Sequence, residues 1–413
     1  MKNYRLTTIS CFIGIFVQAV ITNITPVIFI PMMEIYGFQY SHLGILVAIN
    51  FITQLCADII ISCIVDKVGY RKLILPACVG AFAGIVLFSM SPFLFPENVF
   101  MAIAITTVLI SFCSGMFEVL LSPIIAGIPG TDKGAEMNLL HSFYAWGLMA
   151  TVIVTTIALF LFGRGNWQFI VLFWALVPLV ALVMFLKSPF PDIVPEEHRL
   201  KVSDLFFKPC FFVAMIAILV GAASEVTMSQ WSSTFMERGL SLPKLQGDLI
   251  GMCGFAAMLG IGRLLYGLYG SKINISNVLI AGSALAVACY FFVSLSTVNA
   301  LNIIACIVCG LATSLLWPGT LVIASEKYPL AGAWMFAILA AAGDIGASAG
   351  PWLTGFFVDF TMGSPFNINF SSFLNVTLEQ GALRFGILVS AIFPVLAVIV
   401  HLILKRLSSD SSS

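Results

Sequence analysis

Long apolar stretches separated by short polar turns run the whole length of the chain. Twelve fall at roughly 7–31, 42–64, 72–92, 98–127, 137–162, 168–187, 209–236, 246–270, 276–296, 300–325, 331–358 and 383–405. As helices, each would be long enough to cross a hydrocarbon layer about 30 Å thick. Inside lipid every backbone N–H and C=O must be satisfied within the segment, so the expected fold is all-α. The longest polar interruption in mid-chain runs from Ser188 to Lys208 and holds Pro189, Pro191, Pro195, Glu196, Glu197, His198, Arg199 and Lys201. It lies close to the midpoint. The expected organisation is therefore a six-helix bundle over 1–187, a linker over 188–208 and a second six-helix bundle over 209–413.

Composition agrees with that pattern. The chain is 60% hydrophobic and 9% charged, with a mean hydropathy of +1.06, whereas soluble domains carry about a quarter charged residues. Net charge is zero, which points to neither nucleic acid nor an acidic partner. The ten cysteines are scattered through apolar runs. Cys306 and Cys309 share a helix face without a nearby histidine, so no metal site is expected, and no cofactor motif stands out. The first apolar run lacks a small-residue cleavage site and is expected to stay as a membrane span. Fifteen of the nineteen Lys and Arg residues fall on the amino-terminal side of the expected spans, and only Arg164, Arg238, Lys244 and Arg384 fall on the other. By the positive-inside rule both termini are expected in the cytoplasm, which needs an even number of crossings. The expected location is the plasma (inner) membrane.

Between the second and third spans lies Ser62-Cys-Ile-Val-Asp66-Lys67-Val-Gly69-Tyr-Arg71-Lys72. A weaker copy follows about two hundred residues later, with Gly267, Ser271 and Lys272 at the places of Ser62, Asp66 and Lys67. A second echo pairs Gly115-x-x-x-x-Leu-Leu-Ser-Pro123 in the fourth span with Gly310-x-x-x-x-Leu-Leu-Trp317-Pro318 in the tenth. Matched motifs in two halves are what an internally duplicated transporter carries. The loop resembles the signature loop of the major facilitator superfamily, with Ser62 in place of its first glycine and Tyr70 in place of one basic residue. The resemblance spans the chain. It implies twelve transmembrane helices in two pseudo-symmetric bundles, cavity-lining first, second, fourth and fifth helices in each half, and alternating access. It also implies a latch: Asp66 facing the start of the eleventh span near Ala331, with Lys67, Gly69, Arg71 and Lys72 holding the loop and favouring an outward-open state.

Ionisable groups inside spans are costly and mark pathways by default. Glu118, Glu225 and Asp344 fall in the fourth, seventh and eleventh spans. Each has a structural alternative, a buried carboxylate that only ties helices together. Asp58 reads as structural, and Arg263, near a span end, as a residue that snorkels to the interface. The fifth span opens Asn138-Leu-Leu-His141-Ser-Phe-Tyr144, and His141 titrates near neutrality, so it could pass protons or simply donate to a carbonyl. The candidates for ion coupling are thus Glu118, Glu225, Asp344 and His141. In the seventh span, Glu225, Gln230 and Trp231 combine hydrogen-bonding groups with a flat apolar face suited to a sugar ring. This run is similar to the seventh helix of fucose–proton symporters, and the fifth-span run is similar to that of sodium-dependent glucose carriers. Where that branch implies an acidic residue in the first helix, this chain has Gln18, Asn23 and Thr25. The expected substrate contacts are Asn23, Asn138, Glu225, Gln230, Trp231 and Trp317.

These features point to a secondary active transporter of a small polar solute, expected to be a sugar, with a coupling proton or sodium ion and a monomeric state. A multidrug or hydrophobic-solute exporter is the alternative, for which thirty-six phenylalanines would suit a greasy cavity. An enzyme is not expected: the four histidines lie in separate segments, and no phosphate-cradling Gly-x-x-x-x-Gly-Lys-Ser/Thr sequence occurs.

Overall fold

The computed structural model describes residues 4–128, 133–191, 208–269, 273–328 and 332–409, without the side chains of residues 66, 126, 133–138, 141, 332–334, 336 and 409. Every regular element among them is helical. Among the described residues eleven segments are long and apolar enough to cross a membrane, from Arg5–Val27 to Leu378–Ser408. The 30-residue helix Gly332–Thr361 lies between the tenth and the last of these, so the twelve apolar stretches each correspond to a long helical segment.

Four of the segments are broken, and proline chemistry places the breaks. A proline has no N–H for the carbonyl four residues earlier, and its ring crowds that carbonyl. The first segment stops at Val27 and resumes as Phe29–Tyr36, four residues before Pro31. The sixth stops at Trp174, four before Pro178, and the twelfth at Ser390, four before Pro394. The tenth stops at Thr313 and resumes at Leu316, around the Ser314 carbonyl that Pro318 leaves unbonded. The sixth and twelfth segments thus break alike, as duplicated halves would. The fourth segment, Val99–Ala126, continues through Pro123, so the echo between Pro123 and Pro318 does not extend to a matched break.

Two glycines of the internal echo have one packing role. A Cβ added at Gly115 would lie 2.7 Å from the Ala57 Cβ and 2.9 Å from the Gln54 carbonyl oxygen of the second span. At Gly310 it would meet the Phe255 carbonyl oxygen of the eighth. Small residues at such crossings let backbones approach, which is how helices gain contact in lipid.

The chain forms two compact units, Met1–Phe38 with Ile49–Glu196, and Gln39–Ala48 with Glu197–Ser413. The division falls inside the expected linker, but Gln39–Ala48 groups with the second half. Asp359 explains it: its carboxylate accepts from the Ser41 N–H at 2.6 Å and the Tyr40 N–H at 3.2 Å, capping the second span's first turn. The Tyr40 hydroxyl also donates to Glu379 at 2.6 Å. At Gly44 the backbone of Pro351 and Trp352 comes within 3.0 Å of where a Cβ would stand.

Within the second unit, the turn between the seventh and eighth spans carries a buried charge cluster. Two π-helical turns, Phe235–Gly239 and Gly247–Cys253, flank it. The Lys244 ammonium lies 3.0 Å from Asp248 and 3.8 Å from Glu237, and the Ser233 hydroxyl donates to the same Asp248 oxygen. Buried charges persist where they are paired in this way.

Candidate functional site

In the first unit the polar groups converge from the first, second and fourth spans. The Gln18 amide donates to Glu118 at 2.9 Å. Gln18 is buried and Glu118 half-buried. Asn23 is buried, and its amide reaches the Ala19 carbonyl at 2.9 Å and the Tyr144 hydroxyl at 3.4 Å. The second span adds Asn50, Gln54 and Asp58, spaced by four residues and therefore on one face. Asn50 accepts from Ser111 at 2.7 Å and Gln54 from Ser114 at 3.2 Å, while Asp58 is buried beyond them. The amide groups of this stripe went unread in the sequence, although their four-residue spacing was a signal.

In the second unit Glu225 meets Arg263, with Nη2 3.1 Å from Oε1. The seventh-span carboxylate is thus neutralised by an eighth-span cation, and Arg263 does not behave as a snorkelling residue. Its Nε donates to the Ser314 carbonyl at 3.1 Å, the carbonyl that Pro318 leaves without an N–H. One proline in the tenth span thereby supplies the acceptor that orients the arginine. The side chains remain 15% (Glu225) and 35% (Arg263) exposed, so both can meet a ligand.

The other expected contacts divide. Gln230 is buried and its carbonyl oxygen has no hydrogen-bond partner. Trp231 is 1% exposed, donates its indole N–H to the Pro351 carbonyl at 3.1 Å and packs near the Tyr40 ring. Its face is therefore covered here, contrary to the expectation of a platform for a sugar ring. Trp317 is half-buried, with its ring against Gly343. Asp344 is buried beside that contact. The glycines around it press the eleventh span onto the seventh: Gly346 against Leu219, Gly350 against Ala223 and Thr227.

In the signature loop, Gly69 has φ 92° and ψ 150°, a conformation that a side chain would strain. Arg71 donates to the Leu186 carbonyl at 2.6 Å and the Ser188 carbonyl at 3.4 Å, and lies over the Phe190 ring. It ties the start of the third span to the end of the sixth. Lys67 closes the second helix and Lys72 is exposed in the first turn of the third. The side chains of Asp66, Asn138 and His141, together with Ala331, Ser271 and Lys272, lie outside the described residues. Among the described residues no cluster of His, Cys, Asp and Glu could hold a metal ion.

A profile of the Major Facilitator Superfamily matches residues 11–351. The chain belongs to this superfamily. No curated protein matches the sequence. Among solved structures, a bacterial homologue of the human lysosomal transporter Spinster, captured inward-facing and occupied, is 14% identical, with a TM-score of 0.79 and 98% of each chain covered. The nucleoside transporter NupG is 13% identical with a TM-score of 0.76, covering 96% of this chain and 99% of its own. A D-xylose–proton symporter is 14% identical with a TM-score of 0.72, covering 95% and 97%. At these identities the likeness carries the fold alone, all-helical and multi-pass, while the superfamily profile makes this a transporter family and not an enzyme family. The superfamily member described here thus combines a conserved architecture with its own set of intramembrane polar groups.

Proposed function

We propose that this protein is a secondary active transporter of a small polar solute, of the sugar class, driven by a coupled cation. The observation that carries the reading is the pair of half-open intramembrane carboxylates, each met by a polar side chain from another span: Glu118 by Gln18 and Glu225 by Arg263. Charged groups are retained at membrane depth where they serve a pathway, and a carboxylate facing an amide can take and release a proton without losing its partner. Glu118 is the coupling group, with a proton as the ion. In the second unit Glu225, Gln230 and the half-buried Trp317 provide hydrogen bonds and one aromatic face, the usual content of a small-solute site, and in the first unit Asn23 offers a further amide. Trp231 supports Gly355 and Pro351 from behind. The termini face the cytoplasm, as the fifteen-to-four distribution of Lys and Arg supports; a monomer in the plasma membrane completes the proposal.

The test is counterflow of labelled solutes in proteoliposomes, using a panel of monosaccharides, nucleosides and lipophilic cations. The reading expects one monosaccharide to exchange, and Gln230→Ala or Trp317→Ala to weaken its apparent affinity about tenfold or more. Exchange of lipophilic cations with no sugar exchange would replace it with the exporter reading.

A further inference from the structure

A polar cavity of about 540 Å³ lies at the end of the second unit where the seventh span meets the eighth, the ninth meets the tenth and the eleventh meets the twelfth. At its base is Arg384, in the second turn of the helix Leu378–Ser390, only 2% exposed. Its Nη1 donates to the carbonyls of Ser296 at 2.6 Å and Val293 at 3.3 Å, and its guanidinium lies over the Phe235 ring. Nε is buried without an acceptor. Among the described residues no carboxylate pairs with Arg384, because the acids of this end are engaged elsewhere: Glu237 near Lys244, Glu379 with Tyr40, Asp359 with the Tyr40 and Ser41 amides. A buried charge without a counter-charge is costly, and backbone carbonyls offset only part of that cost.

The cavity wall is held in an uncommon backbone state. Ser241 and Asn375 are the two non-glycine residues with positive φ among those described, at 56° and 53°, and both line this cavity. Such outliers gather at ligand sites, where surrounding structure holds them in place. Here Gln380 does so: its amide nitrogen donates to the Ser241 hydroxyl at 3.1 Å, and its oxygen accepts from Thr377 in a capping box. Thr297 and Asn299 add further neutral hydrogen-bonding groups to the lining.

We infer that this cavity is a binding site for a small monocarboxylate, held by the Arg384 guanidinium that lines it. A guanidinium matches a carboxylate with parallel hydrogen bonds, and the bonds to Ser296 and Val293 engage Nη1 and not Nη2. One buried positive charge balances one negative charge, so a monoanion fits where a dianion such as sulfate would leave a charge uncompensated. The volume suits a solute of a few to a dozen heavy atoms, and the neutral polar wall suits one bearing hydroxyl or amino groups.

The test uses the purified full-length protein in detergent, followed by tryptophan fluorescence during heating. Acetate, lactate and benzoate are titrated at constant ionic strength against acetamide, lactamide, benzamide and sulfate. A ligand that binds only the folded state raises the midpoint in a saturable way. The expected result is such a rise with at least one carboxylate and none with its amide, weakened about tenfold or more in apparent affinity by Arg384→Gln. Because Arg384→Gln removes buried contacts, Thr297→Trp serves as a second variant: it fills the exposed side of the cavity and leaves the Arg384 carbonyl bonds intact. It should abolish the carboxylate response while unfolding near the wild-type midpoint. Absence of a saturable carboxylate effect, a response to sulfate as strong as to carboxylate, or a response unchanged in Thr297→Trp would each overturn the inference.

Discussion

At the scale of single residues, the informative positions are those where a charge sits inside a helix that must cross lipid. Glu118, Glu225, Asp58 and Asp344 were readable because carboxylates are rare in such helices. Their partners were not readable. Arg263 is near a span end, and only the broken tenth span reveals that Pro318 frees the Ser314 carbonyl to receive it. Gln18 and Gln54 are neutral and do not stand out in an apolar run. Trp231 has polar neighbours in sequence, while its neighbours in space are Tyr40, Gly355 and the Pro351 carbonyl. The Glu225–Arg263 pair leads to a definite expectation. Glu225→Gln or Arg263→Gln alone strands the other charge and should lower unfolding free energy by about 1–3 kcal/mol, less than for a fully enclosed pair because Arg263 is partly open. The double variant should recover most of that loss. Chemical unfolding of the four proteins gives the cycle, and strictly additive losses would show that the pair is not coupled.

At the scale of elements, helix ends and crossings follow from proline and glycine, residues whose effect on backbone is local. The breaks at Val27, Trp174, Thr313 and Ser390 lie four or five residues ahead of Pro31, Pro178, Pro318 and Pro394. The sequence contains that spacing, yet Pro76, Pro92, Pro123 and Pro351 sit inside continuous helices, so proline alone does not decide a break. Glycine crossings separate more cleanly. Gly115→Leu and Gly310→Leu drive a side chain into the second and eighth spans and should cost about 2–4 kcal/mol or abolish folded yield. Gly260→Leu, where a Cβ meets nothing within 4 Å, should be neutral or stabilising. Size-exclusion recovery and the melting midpoint check this, and equal damage at all three sites would contradict the crossing argument. Gly69→Ala tests the signature loop in the same assay. Its φ of 92° predicts a loss of about 1–3 kcal/mol even though nothing stands within 4 Å of the added carbon.

At the scale of the whole molecule, the duplicated plan was legible because membrane helices announce themselves by length and apolarity, and because the loop motif recurs. The membership of Gln39–Ala48 in the second unit was not legible. It depends on Asp359, more than three hundred residues away, and no local pattern encodes such a contact. Nor was the Arg384 cavity, since one arginine near the start of a helix looks like an ordinary surface charge until its burial is known.

The claim that joins these scales is that Glu118 couples solute movement to a proton gradient. Accumulation of a labelled monosaccharide in proteoliposomes under an imposed inward proton gradient tests it most directly. The account predicts uptake above equilibrium that a protonophore collapses, and that Glu118→Gln loses while keeping solute exchange. Accumulation by Glu118→Gln equal to wild type, or solute that only equilibrates whatever the proton gradient, would contradict it.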